Sequence, residues 1–252
     1  MNKTKNLILK ITPKFILDIY SSKIIQQQIH VHKRIANVSY SKHGEDISIL
    51  EYFGGRRWGG CFIDVGAYHP YLYSNTYSFY KMGWRGINIE PNPDNFKLIS
   101  KKRKRDMNLN MGIAKEEGML KYYMFNYPAL NTFVESVALE HSRRSDYNIV
   151  STLEVKTNTL VNVLDQYLPA GQDIDFMNID VEGMDYEVLM SNDWNKYRPK
   201  LICIEEREIY EAEKFNDVKI YAFLKKIGYK LYCVNGISLL FEDSTIKTGK
   251  EF

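Results

Sequence analysis

The first candidates for chemistry follow an apolar run from Ile174 to Ile179. Asp180 and Glu182 come directly after this run, and Gly183 permits a sharp turn into the following segment. A carboxylate at the end of a central strand can accept a proton from a hydroxyl group. It can also hold Mg²⁺ or Mn²⁺ through oxygen ligands. The acidic side chains available for such a metal site are Asp180, Glu182, Glu205 and Glu206.

Two further apolar runs end in residues suited to a nucleoside. Asp64-Val-Gly66 closes the run that begins at Cys61, and Glu90 closes the run that begins at Gly86. Glu90 can accept hydrogen bonds from both ribose hydroxyls, and Gly66 lets the backbone turn sharply beneath the ligand. Residues 68–70 are Tyr-His-Pro, where a pyrophosphate-binding loop needs glycines. The pattern therefore favours a nucleoside ligand without phosphates over a dinucleotide.

These strand ends require a sheet that brings them together. Apolar runs at 61–65, 86–89, 107–113, 174–179 and 201–204 alternate with amphipathic segments at 73–82, 93–102, 160–168, 185–191 and 217–227. Strands that alternate with helices indicate an α/β protein with a parallel sheet. The final runs, 230–234 and 237–241, flank Asn235-Gly236, which favours a tight hairpin. Residues 120–125 look like an extra strand.

The bulk composition describes one globular domain with a basic extension. With 44% hydrophobic and 26% charged residues, the chain has ordinary soluble composition, and no run approaches the roughly 20 apolar residues that span a bilayer. Residues 1–42 carry eight Lys or Arg against one acid. We expect residues 1–38 to be a helical extension that contacts an anionic surface or a second copy. Three cysteines inside apolar runs and no signal-peptide pattern favour the cytoplasm.

Five ordered motifs resemble the FkbM family of methyltransferases. They are Tyr40-Ser-Lys42-His-Gly-Glu-Asp46, Asp64-Val-Gly66-Ala67, Ile89-Glu90-Pro-Asn92-Pro, Asn108-Leu-Asn110 and Ile179-Asp180-Val-Glu182-Gly183. The resemblance covers about residues 40 to 205. It implies a Rossmann-like class I methyltransferase fold over residues 39–252, with a mostly parallel seven-stranded sheet that ends in an antiparallel hairpin. It also implies S-adenosylmethionine as cofactor and, commonly, O-methylation of sugars.

The same resemblance assigns roles by position. Glu90 would hold the ribose, Asn110 would lie near the adenine, and Asp180 with Glu182 would face the transferred methyl group. Lys42 stands where the family often has Gln, and a Lys there can pair with the cofactor carboxylate as a flexible point charge. The full set of cofactor contacts that it implies is Asp64, Gly66, Ala67, Glu90, Asn92, Asn110 and Asp180.

Two loops supply the remaining candidates. His69 has an ordinary pKa near 6.5 and can act as a general base or bind substrate, although a hydrogen-bonded structural histidine fits the same sequence. Residues 126–151 are polar and long enough to form a lid or substrate loop. Within it, Asn131 and Thr132 are suited to sugar hydroxyls. Tyr127 and Phe133 are suited to stacking on a sugar ring, and Glu205 is a further candidate for substrate binding.

The leading hypothesis is an O-methyltransferase for a sugar hydroxyl, on a nucleotide-activated sugar or a surface glycan precursor. An amine or a non-sugar hydroxyl is the alternative acceptor. An NAD-dependent oxidoreductase and a nucleoside-binding module are alternatives from other classes. Nucleic acid is not expected as acceptor, because the chain lacks the Asn-Pro-Pro-aromatic type of motif found in base methylation.

Overall fold

The computed structural model describes residues 38–55, 59–207 and 218–245. The residues from Ser39 onward form one compact unit. The helices expected within residues 1–38 and the start of the helix expected at 217 lie outside the described residues. Among the helices of the described part, none combines the length and the apolar character needed to cross a membrane.

A seven-stranded sheet forms the centre of this unit. Its strands are β1 (Cys61–Val65), β2 (Arg85–Ile89), β3 (Met107–Leu109), β7 (Phe176–Ile179), β8 (Leu201–Glu205), β9 (Tyr229–Asn235) and β10 (Ser238–Asp243), in the order β3-β2-β1-β7-β8-β10-β9. β3, β2, β1, β7 and β8 are parallel neighbours, whereas β10 is antiparallel to both β8 and β9. The predicted parallel sheet with a final antiparallel hairpin is confirmed, with Gly236 at φ 56° in the turn.

Seven helices fall within the described residues. They are α1 (Glu45–Tyr52), α2 (Tyr77–Lys81), α3 (Pro93–Lys102), α4 (Glu135–His141), α5 (Leu160–Tyr167), α6 (Asp185–Met190) and α7 (Lys219–Lys226). Pro93 begins α3 as predicted, because proline fits the first helical position and the Asn92 side chain caps the helix. α2 begins four residues after the predicted 73, since residues 73–76 remain in the loop that follows β1.

Both faces of the sheet are covered. Ile63 and Val65 of β1 pack with α5, α6 and α7 on one face, whereas Phe62 packs with α1 and α2 on the other. Every residue of β1, β7 and β8 is buried. This burial explains the uninterrupted apolar runs, because a parallel strand between two helical layers has no solvent face. Cys61 and Cys203 are buried free thiols, as expected, and Cys233 is half-buried.

A second, three-stranded sheet was not predicted. It consists of β4 (Gly112–Ile113), β5 (Gly118–Phe125) and β6 (Ile149–Asn158) in the order β4-β6-β5. The run 107–113 is therefore not one strand: Met107–Leu109 joins the large sheet and Gly112–Ile113 joins the small one. Residues 126–151 are not one polar loop either. They contain a 3₁₀ turn (Pro128–Leu130), α4 and the first residues of β6.

Candidate active site

A cavity of about 360 Å³ opens at the carboxyl ends of β1, β2, β7 and β8. The strand order reverses at β1, with β2 on one side and β7 on the other, and ligands of such sheets bind at this switch point. Strand-end residues form the floor of the cavity. The opposite wall comes from the small sheet and the segment that joins β5 to β6, including Tyr122, Tyr127, Asn131, Phe133 and His141.

Asp64 lies beneath the cavity floor in a buried polar network. Its carboxylate accepts hydrogen bonds from Thr76 Oγ1 at 2.6 Å and from Asn178 Nδ2 at 2.9 Å. Burial raises the pKa of Asp64, while the nearby guanidinium of Arg103 opposes that rise. Arg103, itself only 1% exposed, donates to Thr76 Oγ1 and to the carbonyl of Pro70. Asp64 therefore holds the β1 loop in place as well as lining the cavity.

Gly66 and Ala67 form the turn after β1. Gly66 has φ 84°, and a Cβ built there would lie 1.8 Å from the Asp180 carbonyl oxygen. No other residue fits, because the backbones that follow β1 and β7 touch at this point. The Gly66 and Ala67 amides both donate to the carbonyl of Ile89, which ties the turn to β2.

Glu90 lies at the end of β2 and is 4% exposed. One carboxylate oxygen accepts the Tyr68 amide at 2.7 Å and the other accepts the Asn92 amide at 2.8 Å. Burial raises the pKa of Glu90 to about 7, against the lowering effect of these hydrogen bonds. Each oxygen keeps a lone pair for a further donor, so the carboxylate remains able to bind hydroxyl groups.

Two predicted cofactor contacts support the Glu90 loop and do not line the cavity. Asn92 Oδ1 accepts the Asp94 amide at 3.0 Å as the cap of α3. Asn110 Nδ2 donates to the carbonyls of Glu90 and Pro91 at 2.9 and 3.0 Å. Neither side chain is among the lining residues, which include their neighbours Pro91 and Met111. Asn92 Oδ1 and Asn110 Nδ2 therefore position the Glu90 loop through the backbone, and direct contact of these two residues with the cofactor stays a prediction.

Asp180, Glu182 and Glu205 converge on the floor of the cavity. Each offers a carboxylate oxygen, and these oxygens lie within 4.8 Å of one another. Asp180 follows β7, Glu205 ends β8, and Glu182 occupies a turn in which its own φ is 55°. Glu206, the fourth predicted ligand, is buried outside the cavity lining, with its amide bonded to the carbonyl of Ile237. Glu206 directly follows Glu205, and successive side chains along a strand point to opposite sides. The Glu206 side chain therefore points away from the cavity.

Like charge and burial shape the ionisation of this cluster. Burial, followed by repulsion from Glu205 and Glu182, raises the pKa of Asp180 well above its ordinary range, although the side chain reaches solvent through the cavity. Burial and the charge of Glu205 raise the pKa of Glu182 to about 8. Burial likewise raises the pKa of Asp185 to about 7, although it accepts hydrogen bonds from the Val181 and Gly183 amides. The floor therefore favours binding of a proton or a cation.

Arg207 pairs with this cluster and was not identified from the sequence. Its Nη2 donates to Glu182, and its Nε lies 3.3 Å from Glu205 Oε2. The sequence did contain a signal for this residue, since Arg207 is a cation two residues after the acidic end of β8. It could not be used because the run Glu205-Glu206-Arg207 does not reveal which acid the guanidinium meets.

Two histidines, His43 and His141, line the cavity, and the predicted His69 is not among the lining residues. His69 does not line the cavity, and its Nδ1 accepts the Leu72 amide at 2.9 Å, so it stabilises the turn after β1. His141, the last residue of α4, lines the cavity and places Nε2 4.0 Å from Glu182 Oε2. Burial and the charge of Arg207 lower the pKa of His141.

The segment after β5 brings part of the predicted substrate group to the cavity. Asn131, Tyr127 and Phe133 line it. Thr132 does not: it is fully buried, and its Oγ1 donates to the Glu182 carbonyl at 2.8 Å. Thr132 thus stabilises the turn at Glu182. Because its hydroxyl is already hydrogen-bonded there, it is not available to a ligand.

Comparison with known proteins agrees with this geometry. The Methyltransferase FkbM domain matches residues 64–231, which is more than half of the chain. A search of curated proteins found no match. The similar solved structures include two methyltransferases. Methyltransferase FkbM from Methylobacillus flagellatus KT has 13% identity and a TM-score of 0.42 over 74% of this chain and 44% of its own. This chain thus spans under half the length of that protein.

The second solved structure is a TehB-like SAM-dependent methyltransferase from Corynebacterium glutamicum ATCC 13032 Kitasato. It has 10% identity and a TM-score of 0.40, and the match covers 90% of this chain and 99% of that one. The domain match includes the turn after β1, Glu90, the carboxylate cluster and the wall that carries His141. The chain belongs to the FkbM family of S-adenosylmethionine-dependent methyltransferases.

Proposed function

We propose that this protein is an O-methyltransferase that transfers a methyl group to a sugar hydroxyl in carbohydrate or polysaccharide biosynthesis. The observation that carries the proposal is a single cavity in which Glu90, suited to a ribose, faces the cluster of Asp180, Glu182 and Glu205. One end can hold a nucleoside, and the other can assist a weakly acidic hydroxyl.

The residues present fit S-adenosylmethionine. Glu90 has acceptor capacity for ribose hydroxyls, and Ile89, Met111 and Ile113 line the same cavity with apolar surface suited to an adenine. The loop after β1 runs to α2 at Tyr77 without presenting a helix N-terminus directly after Gly66, so it lacks the usual phosphate-binding geometry. When bound, S-adenosylmethionine supplies an electrophilic methyl group on a sulfonium. Family membership favours S-adenosylmethionine over NAD as the cofactor.

The chain's own residues have two tasks in this reaction. The cavity walls hold the acceptor oxygen in line with the methyl carbon and exclude water. Asp180 then takes the hydroxyl proton, or holds a cation that lowers the pKa of that hydroxyl. The raised pKa of Asp180 supports the first role, because a more basic carboxylate accepts a proton more readily.

The wall opposite the strands supports a sugar as the acceptor. Tyr127 and Phe133 offer aromatic surface, and Asn131 offers an amide, in the same cavity as the carboxylates. Flat aromatic faces pack on the C–H face of a sugar ring, while amides bond its hydroxyls. The lid role that we propose for residues 126–151 rests on this lining.

A second acceptor class is favoured by the charge of the floor. Asp180, Glu182, Asp185 and Glu205 give the floor its acidity, and among the Lys and Arg side chains of the described residues only Arg207 forms ion pairs with them, through Glu182 and Glu205. Such a surface attracts an ammonium group as well as a metal ion. An amine acceptor is therefore the alternative to the sugar hydroxyl.

The test is a screen with isotopically labelled S-adenosylmethionine. The full chain is incubated with nucleotide sugars, glycan precursors, simple polyols and primary amines, and the methyl position is found by mass spectrometry and NMR. We expect the label on a sugar oxygen. Transfer only to amines would replace the proposal with N-methylation. Calorimetry that finds no S-adenosylhomocysteine binding to the folded chain would contradict the cofactor assignment.

A further inference from the structure

His141 is the buried polar group that the proposed reaction leaves unused. Its side chain is 9% exposed, and Nε2 has no hydrogen-bond partner among the described residues. A buried imidazole nitrogen without a partner is unusual, because its desolvation is not offset by a hydrogen bond. The ring is held by an edge-on contact with Phe125, with centroids 5.8 Å apart.

This nitrogen points toward the carboxylate cluster. Nε2 lies 4.0 Å from Glu182 Oε2, beyond hydrogen-bond distance but close enough for both atoms to bind one ion. Two ligands of one metal ion at bond lengths near 2.1 Å lie roughly 3 to 4 Å apart. The carboxylate oxygens of Asp180, Glu182 and Glu205 lie within 4.8 Å of one another, and His141 Nε2 approaches this group from the side of Glu182.

Charge favours a doubly charged ion here. Three carboxylates converge with Asp185 behind them, and Arg207 supplies one positive charge directly to Glu182 and Glu205. Four acids outnumber the two nearby cations, Arg207 and Lys42, so the floor is anionic when these groups are ionised. Because Arg207 bonds the same oxygens that would bind an ion, its guanidinium competes for them and must swing toward solvent, where 42% of its side chain is already exposed.

We propose that Asp180, Glu182, Glu205 and His141 form a binding site for one divalent transition-metal ion, with Arg207 as the competing cation. Three carboxylate oxygens and one imidazole nitrogen suit Mn²⁺, Fe²⁺ or Zn²⁺ better than Mg²⁺ or Ca²⁺, which prefer oxygen alone. The site itself is independent of the acceptor. Its role rests on the proposed function: the ion would lower the pKa of the acceptor hydroxyl beside it.

The test uses Mn²⁺ alone on the full chain after chelator treatment. Isothermal calorimetry and the EPR signal of free Mn²⁺ should show one ion per chain. His141→Gln should weaken this binding by about tenfold or more, by analogy with the loss of groups that support a metal site. Glu205→Gln should weaken it further, while Arg207→Gln should tighten it. His69→Gln is the matched control and should leave Mn²⁺ affinity unchanged.

Each other outcome overturns a stated part of the site. No Mn²⁺ binding, or binding that survives both His141→Gln and Glu205→Gln, excludes the site. Equal affinity for Mg²⁺ and Mn²⁺ excludes the imidazole as a ligand, and weaker binding in Arg207→Gln excludes competition by Arg207. S-adenosylhomocysteine affinity and the thermal midpoint of each variant show that it is folded. Normal S-adenosylhomocysteine binding without Mn²⁺ binding would reject the metal site and leave methyl transfer standing.

Discussion

The two walls of the cavity are built on different principles. The floor consists of residues that directly follow buried parallel strands, such as Gly66, Glu90 and Asp180, and the ladders of the large sheet fix their positions. The opposite wall is supported by the small sheet, whose strand β4 has only two residues. The hydrogen bond from Thr132 to the Glu182 carbonyl joins this wall to the floor. Chemistry at the floor should therefore depend on charge, and geometry at the opposite wall on individual hydrogen bonds.

The largest effect should come from removing one charge at the floor. Asp180→Asn nearly preserves shape, yet it removes the group that accepts the acceptor's proton or holds a cation. We expect kcat to fall by about 10² to 10⁴ with S-adenosylhomocysteine affinity little changed. The measurement is turnover at saturating concentrations of the acceptor found by the screen. Asp165→Asn, which alters an exposed acid paired with Lys196, is the control and should keep full turnover. Near-normal turnover of Asp180→Asn would reject the mechanism.

The contact between the turns after β1 and β7 gives the next effect. Gly66→Ala places a Cβ against the Asp180 carbonyl and forces a positive φ on alanine. We expect a loss of about 2 to 4 kcal/mol in the free energy of unfolding, together with loss of cofactor binding. Gly118→Ala, at the start of β5 with open space around it, should change stability by less than about 0.5 kcal/mol. Urea unfolding measures the stability of both variants. Equal stabilities would contradict the proposed close contact between the two turns.

Glu90 tests the cofactor end. Glu90→Ala removes a charged acceptor from two ribose hydroxyls, so S-adenosylhomocysteine binding should weaken by about 1 to 3 kcal/mol. Calorimetry on the folded variant measures this change. Unchanged affinity would remove Glu90 from the site.

The same residue predicts a pH dependence of binding. The pKa of Glu90 is about 7 in the free protein, and hydroxyl donors favour its ionised form. Affinity should therefore be constant above pH 7 and fall toward tenfold per pH unit below it, because binding must then release a proton. Calorimetry at pH 5.5 to 8.5, in two buffers of different ionisation enthalpy, measures that proton. Glu90→Gln should abolish the slope, and a flat profile in the wild type would contradict the assignment.

The smallest effect tests the opposite wall. Thr132→Val loses the hydrogen bonds to the Glu182 carbonyl and from the Val134 amide, and we expect a cost of about 1 to 2 kcal/mol. Thr157→Val is a matched substitution in β6, where the buried hydroxyl has no partner among the described residues. It should be neutral or stabilising. Equal unfolding free energies for the two variants would mean that the Thr132 bonds contribute nothing.

The sequence predicts the floor far better than the opposite wall. Buried parallel strands leave uninterrupted apolar runs, and their last residue reveals Glu90 and Asp180 as strand ends. In contrast, β6 is mostly exposed over its first half and is buried only toward its end, so its apolar signal is weak. Within the single apolar run 107–113, the chain passes from the large sheet to the small one. No local sequence pattern indicates this change.

The same contrast explains the two histidines. His69 lies in a loop that directly follows β1, which made it conspicuous, yet its Nδ1 is used by the Leu72 amide. His141 ends a seven-residue helix inside a polar segment, and only the tertiary packing of that helix brings it to Glu182. Asn92 and Asn110 were assigned to the cofactor for a similar reason. Sequence position identifies a loop near a ligand, but it does not show which groups each side chain forms hydrogen bonds with.

The backbone contact between Gly66 and Asp180 sets a rule for laboratory evolution of this enzyme. The two turns cannot be diversified separately, since any side chain at 66 displaces the carboxylate on which the proposed chemistry depends. Combinatorial libraries for new acceptors should instead vary Tyr127, Asn131 and Phe133, whose scaffold is the small sheet. Donor recognition would then be inherited unchanged while acceptor preference is selected.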